Sequence, residues 1–132
     1  MTMNKKHVLD LDSYSKTDIE SLLKNTIEMK DLLQKDIKKI PSLNGKTVVN
    51  IFLEASTRTR VSFERAAKIL SADVINVSGS GSSIEKGESL YNTALTLQAM
   101  NADIIIVRHP HAGAPYFFVP PFRRQCDKCW RW

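Results

Sequence analysis

Two short stretches of the chain carry side chains able to grip an anion. The first is Glu54-Ala55-Ser56-Thr57-Arg58-Thr59-Arg60, with three hydroxyls and two guanidinium groups. A helix that opens inside such a stretch leaves its first backbone N–H groups unpaired and its positive dipole end facing the same way, which together make a phosphate site. Arginine adds parallel N–H bonds to phosphate oxygens. The same residues also read as a Ser/Thr helix cap beside surface arginines, and residue chemistry alone leaves the two readings level. The second stretch is Arg108-His109-Pro110. Arg108 is either a second anion ligand or a surface arginine in a turn. His109 precedes a proline and has no evident partner, so a structural or solvent-facing role is expected. Lys86 lies in polar Ile84-Glu85-Lys86-Gly87-Glu88-Ser89, where simple solvation is the plain expectation.

These groups are useful only if regular elements hold them. Ser15, with Asp18 in the capping-box position, opens a helix whose apolar residues Ile19, Leu22, Leu23, Ile27, Leu33, Ile37 and Ile40 recur at mostly helical spacing up to Pro41. Thr47 to Leu53 is a β-branched and aromatic run, hence a strand. Arg58 to Ser71 reads as helix, Val74 to Val77 as strand, and Ser78 to Ser83 as a small-residue loop. Leu90, Ala94, Leu97 and Met100 share one face of a further helix. Ile104 to Val107 is wholly apolar, as expected of a strand covered on both faces. Alternation of strands and helices predicts a three-layer α/β/α domain with a parallel sheet. Ligands of such sheets sit beyond the carboxyl ends of the strands, where Ser56 to Thr59 and Arg108 would lie.

Composition narrows the class. The 132 residues fit one domain, with 42% hydrophobic and 25% charged residues. The net charge of +5 is concentrated after residue 117, where Arg123, Arg124, Lys128 and Arg131 outweigh Asp127. The basic balance therefore belongs to the tail and gives no reason to expect a nucleic-acid partner. No run is apolar enough for a membrane span, and the start lacks the apolar stretch of a secretory signal. No membrane association and a cytoplasmic setting are expected.

Phe52-Leu53-Glu54-Ala55-Ser56-Thr57-Arg58-Thr59-Arg60-Val61-Ser62-Phe63-Glu64 resembles the transcarbamylase family, whose carbamoyl-phosphate signature is Ser-Thr-Arg-Thr-Arg followed by Ser-Phe-Glu. Phe63 to Ala67, Gly81 to Ser89 and Arg108 to Pro115 look like its aspartate branch rather than its ornithine branch. The resemblance runs from about His7 to Phe117. It implies transfer of a carbamoyl group from carbamoyl phosphate to L-aspartate, the committed step of pyrimidine biosynthesis. Ser56, Thr57, Arg58 and Thr59 would hold the phosphate, and Arg58 would stabilise charge on the departing group. Thr59 and Arg108 would polarise the carbamoyl carbonyl. Ser82 and Lys86 match a loop that reaches the neighbouring subunit's active site, which implies a homotrimer or a multiple of it. No cofactor and no metal is implied, and the sequence is silent on regulatory subunits. The alternatives are an ornithine-type enzyme, and a non-enzymatic phosphate-binding remnant or one part of a split subunit.

Residues 1–117 thus read as an incomplete carbamoyl-phosphate-binding domain, and residues 118–132 as a tail foreign to the family. The family's downstream histidine and glutamine and its whole aspartate-binding domain are missing, so this chain alone is expected to bind carbamoyl phosphate weakly at most and not to turn over. Read one base later, the codons of Cys126 to Trp132 permit Val-Ile-Asn-Ala-Gly-Asp-Gly, the segment the family places shortly after its His-Pro-x-x-Gly-Ala region. A frameshift after residue 117 is the expectation. Cys126 and Cys129 form a lone pair, whereas a structural zinc site takes four ligands.

Overall fold

The computed structural model describes residues 7–35, 39–78 and 89–119. Ser82, Lys86, Cys126 and Cys129 lie outside the described residues. The chain divides into two compact units, Met1–Lys38 and Lys39–Trp132.

The first unit holds helix α1, Lys16–Gln34. Its start follows from the sequence: the Ser15 hydroxyl accepts the Asp18 N–H at 3.2 Å, and Asp18 Oδ2 accepts the Ser15 N–H at 3.0 Å. The expected continuation to Pro41 does not occur. Ile40 is extended, with φ −122° and ψ 126°, because a following proline disfavours helical backbone. Its N–H donates to the Ile69 carbonyl at 2.6 Å.

The second unit runs β1 (Thr47–Phe52), α2 (Thr57–Ile69), β2 (Asp73–Ser78), α3 (Leu90–Ala99) and β3 (Ile104–Arg108). The three strands form a parallel sheet in the order β2-β1-β3. Side chains alternate across it. On one face Val48 packs with Ala67 of α2, Ala72, Val74, Ile104 and Ile106. On the other, Val49 and Ile51 pack with Ala94 and Leu97 of α3, Ala102 and Phe118. This is the expected three-layer arrangement. Phe118, assigned to the tail on sequence, is buried in that second cluster. The most buried strand is β1, whose residues from Val48 to Phe52 are all buried, while every residue of β3 is only half-buried. As its wholly apolar sequence predicts, β3 is covered on both faces, Ile104 and Ile106 packing against the Val48 cluster and Ile105 and Val107 against the Val49 cluster; among the described residues it is a sheet edge. Met100, expected on the same face of α3 as Leu90, Ala94 and Leu97, is the C-cap and is exposed.

At the amino end of the sheet, Asp103 ties β3 to β1. Its carboxylate accepts from Lys46 Nζ and from the Thr47 N–H, both at 2.9 Å, and its own N–H donates to the Thr47 carbonyl at 3.0 Å. This clamp fixes the register that sets Arg108 beside Phe52 at the opposite, carboxyl end. No helix among the described residues is long and apolar enough to cross a membrane.

Candidate functional site

Arg108 ends β3 on the face covered by α2, and the loop from β1 into α2 runs past it. Three side chains from that segment hold the guanidinium. Its Nε donates to Glu54 Oε2 at 3.0 Å, and its Nη1 donates to Ser56 Oγ at 3.0 Å and to Thr59 Oγ1 at 3.2 Å. The two sequence stretches are thus one cluster at the carboxyl rim of the sheet. The Arg108 hydrogen bond, with its positive charge second, holds the Glu54 carboxyl below the usual carboxylate range.

Ser56 is the N-cap of α2, with φ −159° and ψ 89°, yet its side chain makes no capping bond. Ser15 and Ser89, at the starts of α1 and α3, both cap, accepting from Asp18 N and Asn92 N. The Ser56 hydroxyl is spent on Arg108, so among the described residues no side-chain cap covers the first N–H groups of α2, and no acidic residue stands in its first turn. Those donors, the dipole end and the nearby guanidinium face one region, which suits a dianion. Of the predicted residues, the structure joins Ser56, Thr59 and Arg108 directly. Thr57 and Arg58 stand exposed on the same first turn. Ser82 and Lys86 lie outside the described residues.

His109 takes the structural role expected of it. Its Nδ1 accepts the His111 backbone N–H at 2.9 Å, closing the turn that follows β3. Sequence reasoning missed Glu54. A carboxylate within the arginine-rich stretch was the available signal, but its pairing with a residue 54 positions away depends on strand register.

A parallel α/β domain whose anion-ready helix start and rim arginine meet at the carboxyl ends of its strands belongs to the phosphate-ligand class. The chain matches, over residues 6–119, the model of the aspartate/ornithine carbamoyltransferase carbamoyl-P binding domain, and it belongs to that family. It is 53% identical over 123 residues to the aspartate carbamoyltransferase catalytic subunit of Chloroflexus aurantiacus, covering 93% of this chain and 40% of that protein. With the corresponding subunit of Nocardioides it shares 55% over 112 residues, 85% of this chain and 35% of the relative. Among solved structures it resembles the catalytic subunit of M. jannaschii aspartate transcarbamoylase, with a TM-score of 0.79 at 36% identity over 89% of this chain and 39% of that one. It also resembles aspartate transcarbamoylase from Trypanosoma cruzi in complex with carbamoyl phosphate, with a TM-score of 0.76 at 30% identity over 86% and 36% of the two chains. The chain spans about 40% of the length of the curated relatives it matches.

Proposed function

We propose that this chain supplies the carbamoyl-phosphate half of an aspartate carbamoyltransferase. One observation carries the reading: Ser56 Oγ and Thr59 Oγ1 converge on Arg108 Nη1 beside a helix start that its own N-cap side chain leaves uncapped. The phosphate of carbamoyl phosphate sits on the first N–H groups of α2 and the hydroxyls of Ser56, Thr57 and Thr59, with Arg58 beside the leaving oxygen. Arg108 and Thr59 donate to the carbamoyl oxygen, where negative charge grows during attack. The amine of L-aspartate attacks the carbonyl carbon. A C–N bond forms, the bond from the carbonyl carbon to the bridging phosphate oxygen breaks, and phosphate leaves with the electron pair and takes up the proton that the amine loses. The products are N-carbamoyl-L-aspartate and phosphate, within pyrimidine biosynthesis in the cytoplasm.

The complete assembly is a trimer in which Ser82 and Lys86 serve the neighbouring subunit's site. The tail from residue 118 onward is a frameshifted remnant, and an intact single frame through that region of the gene rules this out.

Titration of the chain with carbamoyl phosphate tests the site. Arg108→Ala is expected to weaken binding at least about tenfold, the equivalent of 1.4 kcal/mol and typical of one charge-assisted hydrogen bond. Equal affinity in the variant and the parent overturns the assignment.

A further inference from the structure

Asn50 is the one polar side chain on β1 between Val48 and Phe52, and it has no exposed surface. It starts a chain of hydrogen bonds that leaves the sheet for α2. Asn50 Nδ2 donates to Asn76 Oδ1 at 3.0 Å, Asn76 Nδ2 donates to Glu64 Oε2 at 3.0 Å, and Lys68 Nζ donates to Glu64 Oε1 at 2.6 Å. The direction of this chain is forced. An ionised carboxylate only accepts, so Asn76 must turn its amide nitrogen to Glu64 and its oxygen to Asn50. Asn50 must then present its nitrogen to Asn76, which leaves its own oxygen buried and, among the described residues, without a donor. Its register neighbour on β3 is Ile106, which offers none. A buried orphan acceptor is a cost that a leucine in the same place would avoid.

Something must offset that cost, and the packing of α2 indicates what. Only Ala67 of this helix is buried, while Val61 and Phe63 are exposed. Ala67 alone fixes neither the slide nor the rotation of the helix on the sheet, and the helix's ring contact, Phe63 against Phe52 at 6.5 Å between centroids, involves a part-exposed side chain. The polar chain supplies what the apolar contact lacks, a directional tie from the sheet centre to Glu64. Glu64 lies two turns along α2 from Thr57, roughly 10 Å at 1.5 Å per residue, and a helix transmits position over that length rigidly. Buried polar pairs are best attested as setters of register rather than of stability.

We propose that Asn50, Asn76 and Glu64 are positioning residues that set where the first turn of α2 stands relative to Arg108. The inference rests on the phosphate reading of that turn. It does not place any of the three in contact with substrate.

The test uses the full 132-residue chain, inorganic phosphate as the probe, and the amide resonances of Thr57, Arg58 and Thr59 as the readout. Asn50→Leu with Asn76→Leu removes both amides together, so no new orphan is created. The double variant is expected to melt at or above the parent's temperature while phosphate affinity falls about tenfold or more, as when outer-shell partners of a binding site are lost. The three amide resonances are expected to move already without phosphate. Glu64→Gln, at a position near the surface, gives a second measurement if the double variant does not fold, with a smaller loss of affinity in the same direction. A folded variant of either kind that binds phosphate as the parent does sinks this inference alone. No phosphate binding by the parent sinks the site reading and this inference together.

Discussion

A serine hydroxyl at a helix start can close the helix or serve something outside it, and this chain uses both options. Ser89 accepts the Asn92 N–H at 3.2 Å and so caps α3, whereas Ser56 gives its lone pair to Arg108. Ser89→Ala is therefore expected to lower unfolding free energy by about 1 kcal/mol. Ser56→Ala has no cap to lose, only a hydroxyl bonded to the part-exposed Arg108, and is expected to lower the denaturation midpoint less than Ser89→Ala does while weakening phosphate binding. Equal stability losses in the two variants would contradict the division of roles. Glu54 gives a second residue-scale test. Its carboxyl is held low in the folded chain by Arg108, so in the window between its folded and unfolded values the unfolded chain carries the extra proton. Stability rises with pH through that window. The contribution is complete above the unfolded value, about 4.3, and is lost as pH falls through the folded one. Denaturation midpoints measured downward from neutral pH should fall less steeply in Glu54→Gln than in the parent. The effect is small, since both partners are part-exposed, and parallel curves would show that the pair contributes nothing.

Helices α2 and α3 end in the same way, and one end is better made than the other. After α2, Ala72 N donates to Ala67 O and Ser71 N to Lys68 O; after α3, Ala102 N donates to Leu97 O and Asn101 N to Gln98 O. This double bond pattern requires a left-handed residue at the turn, with φ 66° at Ser71 and 56° at Asn101. Asparagine tolerates that region and glycine enters it freely, but serine is strained there. Ser71→Gly is expected to stabilise the chain by about 0.5–1 kcal/mol in urea denaturation, and a destabilised variant would show that Ser71 makes a compensating contact. The helices and strands themselves were legible, because periodicity and the Ser15–Asp18 pair are local signals. The misplaced features share a cause. The end of α1 and the exposure of Met100 depend on which segments pack together. The site was half legible: Ser56, Thr59 and Arg108 stood out by type, but the tie to Glu54 and the Asn50–Asn76 row appear only once β1, β2 and β3 are in register.

Carbamoyl transfer needs two substrates held against each other, and a chain of 40% of its relatives' length offers, on the reading above, the place for one. Holding two reactants in line can supply about 7–11 kcal/mol of a barrier, whereas polarising one carbonyl supplies only the electrostatic share. The 132-residue chain, given carbamoyl phosphate and L-aspartate, is therefore expected to bind the first and form no measurable carbamoyl aspartate. Adding a separately expressed polypeptide that matches the rest of a relative's length should restore turnover if the two parts dock, and Arg108→Ala in this chain should then abolish it. That control matters, because restored turnover indifferent to Arg108 would place the carbonyl-polarising donor elsewhere. Turnover by the purified chain without the added polypeptide would mean that one domain holds both substrates, and the division of labour between halves would have to be given up.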